Sequence, residues 1–189
     1  MSGEPEPPFA VAVSAETLKS RIGELGAEIA ADYADRVPLL LGVLTGALPF
    51  LADLIRSMDI EVEVDFLSLS RFGEGGRVRF SLDTALPLAG RHVLIVEDIV
   101  DTGLSLNVLR RTLQMREVAS IATVALVDKA SRRLVDVPVE YRGFEVGDEY
   151  LVGYGLDWGG YWRNLPDLYA ILDMESFGKK PARLAFGDR

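Results

Sequence analysis

Glu97-Asp98-Ile99-Val100-Asp101-Thr102-Gly103-Leu104-Ser105 follows the apolar run Val93-Leu94-Ile95-Val96 and precedes an amphipathic stretch from Leu106 to Met115. A short apolar run, a polar stretch with glycine, and then apolar residues at helical spacing read as a buried strand, a tight turn and the start of a helix. Glu97, Asp98 and Asp101 are thereby expected at the C-terminal end of a strand, beside Gly103, the hydroxyls of Thr102 and Ser105, and backbone N–H groups. The N–H groups and hydroxyls of such a turn can cradle a phosphate at a helix N-terminus. Its carboxylates can hold a metal-bound polyol or take a proton.

Two other phosphate turns are excluded. A Walker A loop needs Gly-x-x-x-x-Gly-Lys-Ser/Thr, and this segment has no such lysine. The Gly-x-Gly-x-x-Gly dinucleotide pattern is also absent. The plain alternative is a solvated acidic loop. Against it stands the crowding of carboxylates, glycine and hydroxyls into one strand-end turn, the place where open α/β sheets bind ligands.

The chain has 189 residues, enough for one domain with a full core. Its composition, 49% apolar and 26% charged, is that of a globular protein rather than a disordered one. There is no cysteine, so disulfide staples are excluded and nothing points to an oxidising compartment. No apolar run approaches a membrane span, and the acidic, proline-rich N-terminus does not read as a signal peptide; the expected location is the cytoplasm. The net charge of −9 disfavours a nucleic-acid partner, which calls for a basic stripe. Bridging magnesium would reconcile that charge with phosphorylated substrates.

Along the chain, Ser14 reads as a helix N-cap, with Leu18, Ile22, Leu25 and Ile29 on one helical face. Leu39 to Leu44 reads as a buried strand, Thr45-Gly46 as a turn, and Leu48, Leu51, Leu54, Ile55 and Met58 as a second helical stripe. Val62, Val64 and Phe66 alternate with acidic residues at strand period. Arg71 to Arg79, with three glycines, reads as a mobile loop between strands. Then follow a strand over 92–97, a helix over 103–116 and a strand from Ile121 to Val127. This alternation predicts an α/β fold: a twisted, mostly parallel sheet flanked by helices. Residues 137–173, rich in glycine and aromatics, are expected to build part of a small hood subdomain. The expected organisation is a flexible N-terminus (1–9), a main domain (10–175) and a tail (176–189).

Three further clusters carry polar chemistry. Leu44-Thr45-Gly46 is either a turn with Thr45 capping the next helix or a second anion-binding turn. Val127-Asp128-Lys129-Ala130-Ser131-Arg132-Arg133 puts a lysine at another strand end, where it is either solvated or a ligand. Tyr150-Leu151, with Asp157 six residues after Leu151, and Trp158 to Leu165 around Arg163 form the last cluster; Tyr154, Trp158 and Trp162 read as packing. His92, the only histidine, has no partner at motif spacing, which removes a Ser-His-Asp scheme.

The 97–105 segment resembles the phosphoribosyl pyrophosphate (PRPP) signature of the type I phosphoribosyltransferases, and more narrowly their hypoxanthine-guanine branch. The resemblance spans Val11 to Asp173, with motif order and spacing agreeing throughout. It implies a purine salvage transferase that joins a 6-oxopurine to PRPP. Asp101 would act on the proton at purine N7. Glu97 and Asp98 would hold the ribose hydroxyls directly or through Mg2+, and Asp101, Thr102, Gly103, Leu104 and Ser105 the 5′-phosphate. Lys129 would donate to the 6-oxo group, which suits a side chain with donors and no acceptor. Tyr150 would stack on the base, Leu151 would read its edge through backbone groups, and Asp157, at the base site, would coordinate magnesium. Thr45, Gly46 and Arg163 would hold pyrophosphate, Thr45 standing where the family commonly has lysine. Arg71-Phe72 stands where a Ser-Tyr pair is usual. The resemblance also implies a homodimer or homotetramer with no nucleic-acid or membrane partner. Two alternatives stay open: a xanthine-preferring transferase, and a non-catalytic PRPP-sensing regulator on the same fold.

Overall fold

The computed structural model describes residues 9–72 and 77–175. In chain order the elements are β1 (Phe9–Val13), α1 (Ala15–Asp32), β2 (Pro38–Leu44), α2 (Leu48–Ser57), β3 (Glu63–Phe72), β4 (Arg77–Leu82), β5 (His92–Val100), α3 (Leu104–Gln114), β6 (Ser120–Asp128), β7 (Tyr141–Glu145), β8 (Tyr150–Val152) and β9 (Leu168–Ile171). A 3-10 turn, Ala130–Arg132, follows β6. The chain forms two compact units, one from Lys19 to Asp148 and one from the segments up to Leu18 and from Glu149 onward.

The larger unit is a six-stranded sheet in the order β4-β3-β2-β5-β6-β7, parallel except for the β3–β4 pair. Its central strands are apolar at successive positions because both faces are covered. Leu39, Leu41, Val93, Ile95 and Ala125 pack with Leu106, Leu109 and Leu113 of α3 on one face. Leu40, Leu94 and Val96, which point the other way, are equally buried. There α2 packs on β2 and β5, and a Cβ at Gly42 would meet Leu51 Cδ2 at 2.8 Å. α1 buries Ile22, Leu25 and Ile29, the stripe expected of it.

The smaller unit is the antiparallel sheet β1-β9-β8. Val152, Trp162, Leu165 and Ile171 form its core, with Phe9, Trp158 and Tyr169 packed against it. Asp167 Oδ1 accepts the Ala15 amide at 2.6 Å, and Ser14 Oγ accepts that of Thr17 at 3.2 Å, together satisfying donors at the start of α1.

Several boundaries differ from the sequence reading. The loop expected over 71–79 is largely strand: Arg71 pairs with Val78 and Phe72 with Arg77 in an antiparallel ladder, and residues 73–76 lie outside the described residues. Residues 141–145, expected in the hood, are the sixth strand of the main sheet. The smaller unit instead draws on the N-terminal segment, where Phe9 pairs with Ile171. The helix expected over 103–116 spans Leu104–Gln114. The tail 176–189 and residues 1–8 lie outside the described residues.

Candidate active site

β5 is longer than its apolar run. It continues through Val100, with Ile99 opposite Val127 and Val100 opposite Asp128. Asp98 therefore belongs to the strand along with Glu97, beyond the end expected at residue 97. Glu97 is buried and Asp98 is half-buried. Burial first, and then the charge of Asp98, push the Glu97 carboxyl well above its ordinary range.

The turn is Asp101-Thr102-Gly103. Gly103 is the N-cap of α3 with φ of 79° and offers no side-chain cap; the Leu104 amide makes a long bond to Thr102 Oγ1 at 3.5 Å. A left-handed backbone at this point needs glycine. The space needs it too: a Cβ here would lie 2.9 Å from Val137 Cγ1 and 3.2 Å from the Val135 carbonyl oxygen. The positive end of the α3 dipole and the backbone N–H groups of the first turn form a ready anion site. Beside it a cavity of about 260 Å³ is lined by Glu97, Asp101, Thr102, Gly103 and Ser105, with Val43 and Leu69 among its apolar walls.

The segment after β6 braces this turn. The Lys129 amide donates to the Val100 carbonyl at 2.9 Å, and the Leu134 amide to the Thr102 carbonyl at 3.0 Å. Arg133 Nη1 donates to the Val100 carbonyl at 2.8 Å and to that of Asp101, while its Nη2 bonds Asp128 Oδ1. Asp128 is buried, and Arg142 Nε lies 3.2 Å from its Oδ2, near enough for charge pairing but without hydrogen-bond geometry. Lys129 is itself buried, with 6% of its surface exposed. Asp101 accepts a hydrogen bond from Arg132 Nε at 2.6 Å. The sequence reading named Arg132 and Arg133 only as part of a motif and missed both contacts. The adjacent arginines after a strand-end Asp-Lys pair were the available signal.

At the other turn, the Leu44–Thr45 peptide is cis. Thr45 does not cap α2: Ala47 is the N-cap, and Thr45 contributes its carbonyl to the Leu48 amide at 3.2 Å. Thr45 is exposed and Gly46 buried.

Within the smaller unit, Tyr150, Asp157 and Arg163 form one cluster. Tyr150 donates its hydroxyl to the Asp157 carbonyl at 3.0 Å and stands edge-on to Trp158, with ring centroids 5.0 Å apart. The Asp157 carboxylate pairs with Arg163 Nη2 at 2.7 Å and accepts the Gly160 amide at 2.7 Å. Arg163 also donates to the Gly155 carbonyl at 2.6 Å. Leu151 is buried, in register with Ala170.

Residues 14–158 match the model of the phosphoribosyl transferase domain family. The chain belongs to the phosphoribosyltransferase family. It is 44% identical over 160 residues to the hypoxanthine-guanine phosphoribosyltransferase of Bacillus subtilis, covering 82% of this chain and 89% of that one. To the hypoxanthine phosphoribosyltransferase of Haemophilus influenzae it is 43% identical over 162 residues, covering 82% and 90%. Among solved structures it superposes on a Staphylococcus aureus hypoxanthine phosphoribosyltransferase with a TM-score of 0.85 at 34% identity, covering 89% of this chain and 93% of that one. On a Bacillus anthracis hypoxanthine-guanine phosphoribosyltransferase the TM-score is 0.83 at 36% identity, covering 86% and 98%.

For a phosphoribosyltransferase the donor set bears on the metal. Among the described residues no three acidic or histidine side chains converge into a cage. Magnesium does not require one, since it keeps waters and binds through one or two carboxylates plus substrate phosphates. The buried Glu97 carboxyl, acted on only by influences that oppose its charge, fits a group completed by a cation. No helix is long and apolar enough to cross a membrane among the described residues.

Proposed function

We propose that this phosphoribosyltransferase joins hypoxanthine, guanine or both to PRPP, giving IMP or GMP and pyrophosphate. One observation carries the reading: the Lys129 amide bonds the Val100 carbonyl, so a buried lysine and an acidic phosphate-type turn share one rigid strand-end site. Two relatives that match more than four fifths of the chain are named for hypoxanthine-guanine and for hypoxanthine.

In this reading the 101–105 turn binds the 5′-phosphate, and Glu97 and Asp98 hold the ribose hydroxyls directly or with magnesium. Lys129 donates to the 6-oxo group. Tyr150 stacks on the base, and Leu151 reads its edge through backbone groups. Purine N9 forms the bond to C1′ as the C1′–O bond to pyrophosphate breaks, the electron pair leaving with pyrophosphate. Asp101 takes the proton from N7, which sharpens N9 as a nucleophile. Thr45, Gly46, Asp157 and Arg163 hold the departing group. Glu97, Asp98 and Asp157 would hold magnesium, which would supply positive charge against the phosphates. Catalysis is then mainly positioning and electrostatic stabilisation.

The reading extends to a homodimer or homotetramer in the cytoplasm. A spectrophotometric assay of hypoxanthine, guanine, xanthine and adenine, each with PRPP and magnesium, tests it. Turnover of hypoxanthine or guanine is expected. Adenine as the best substrate would overturn the role of Lys129, and xanthine as the best would replace the substrate.

A further inference from the structure

The chemistry proposed above needs Asp101, but it gives Arg132 nothing to do. We infer that Arg132 is a positioning residue for the base Asp101, acting as a clamp between Asp101 and Asp148. The inference rests on the reading of Asp101 as the group that takes the N7 proton.

Arg132 closes the 3-10 turn Ala130–Arg132, its amide donating to the Lys129 carbonyl at 2.9 Å. Lys129 is in turn fixed to Val100. The guanidinium therefore starts from a backbone already registered against the strand that leads into Asp101. Its Nε donates to Asp101 Oδ1 at 2.6 Å, and its Nη1 bonds Asp148 Oδ1. The planar fork thus spans two carboxylates that lie 47 residues apart in sequence, 148 − 101. The contact occupies only Oδ1 of Asp101, which leaves Oδ2 to meet a proton on the purine.

Stability does not explain this arrangement. The side chains are 41% and 44% exposed for Arg132 and Asp101, and the Asp148 side chain is 76% exposed. Ion pairs so open to water contribute little to folding. They can still select a rotamer for an aspartate on a turn. Asp101 is half-exposed, and its carboxylate is held by the hydrogen bond and ion pair from Arg132.

The test compares kcat and the KM for PRPP in the full chain for R132Q, R132K, D148N, D101N and the double variant D101N/R132Q, with hypoxanthine as the base. R132Q is expected to lower kcat about tenfold to a hundredfold, as misplacement of a reacting group does, with the KM for PRPP within about twofold of wild type. R132K should recover part of the loss, and D148N should show a smaller loss in the same direction. D101N/R132Q should be no slower than D101N, because Arg132 acts through Asp101. Wild-type turnover in R132Q, with D101N slow, overturns the clamp alone. An equal R132Q loss with and without Asp101 also overturns it, since that is the mark of a general structural role. Wild-type turnover in D101N removes the reading of the base and the clamp with it. Faster turnover in R132Q would make the ion pair a brake and contradict positioning.

Discussion

The Lys129 amide and the Val100 carbonyl are hydrogen-bonded at 2.9 Å, joining the strand end that carries the buried Lys129 to the strand that leads into the 101–105 turn. Their strands already run side by side, with Val100 opposite Asp128. The two halves of the proposed chemistry therefore share one rigid edge, and each is sensitive to changes in the other.

Lys129→Ala is expected to lower kcat/KM for 6-oxopurines by about tenfold to a hundredfold. That corresponds to a lost charged hydrogen bond of about 1.5–3 kcal/mol. The KM for PRPP should change far less, because the Val100 contact comes from the backbone amide. Steady-state kinetics with each substrate varied in turn check this, and an effect confined to PRPP would contradict the assignment.

Gly103→Ala is expected to be costly out of proportion to one methyl group. The residue must keep φ near 79° while its new Cβ meets Val137 Cγ1 at 2.9 Å and Arg133 Cδ at 3.2 Å. Left-handed backbone alone costs about 1–2 kcal/mol in a residue with a side chain. A lower thermal midpoint together with weaker PRPP binding by calorimetry is the expected result.

Sequence patterning located these two strand ends but not what braces them. The run Val93 to Val96 announced β5, since four apolar residues before a polar turn have few other readings. Its extension to Val100 was hidden, because Glu97 and Asp98 are poor strand formers kept there by ladder bonds to β6. β3 shows the same limit. Val62 to Phe66 alternates, but Ser68, Ser70 and Arg71 do not advertise a strand and are held by pairing with β4. The expected loop at 71–79 followed from the glycines, which mark a reversal without marking where the ladder stops. β7 was missed because Gly143 interrupts it. That glycine lets the backbone approach, a Cβ there meeting the Leu126 carbonyl oxygen at 2.3 Å. Of the site, the residue types and their order were legible, and the partners of Arg132 and Arg133 were not. An arginine's contacts are decided by what the fold brings beside it.

Arg133→Ala is expected to destabilise the fold by about 3 kcal/mol, in line with removing one partner of a buried pair. Asp128, 1% exposed, would retain only the imperfect contact from Arg142. The Asp101 carbonyl would lose the Arg133 donor at the same time, and the Val100 carbonyl would keep only the Lys129 amide of its two. Chemical denaturation measures the change, and Arg133→Lys should recover only part of it, since one ammonium cannot reproduce the fork.

Glu97 links the metal-free fold to pH. Burial, then Asp98, raise its carboxyl well above the reference value of 4.5. A carboxyl whose pKa is raised by folding holds its proton more tightly in the folded chain than in the unfolded one. Its stabilising contribution is complete below the unfolded value and is lost as pH rises toward the folded one. In a chelator, Glu97→Gln should therefore melt above wild type at neutral pH, with the gap closing near about pH 4. A gap independent of pH would contradict this origin.

The most direct measurement is a crystal structure of the protein with bound GMP. The account expects the 5′-phosphate on the backbone N–H groups of 102–105, the purine 6-oxo oxygen within hydrogen-bond distance of Lys129 Nζ, and Asp101 facing N7. A phosphate bound away from that turn, or a base out of reach of Lys129, would contradict it.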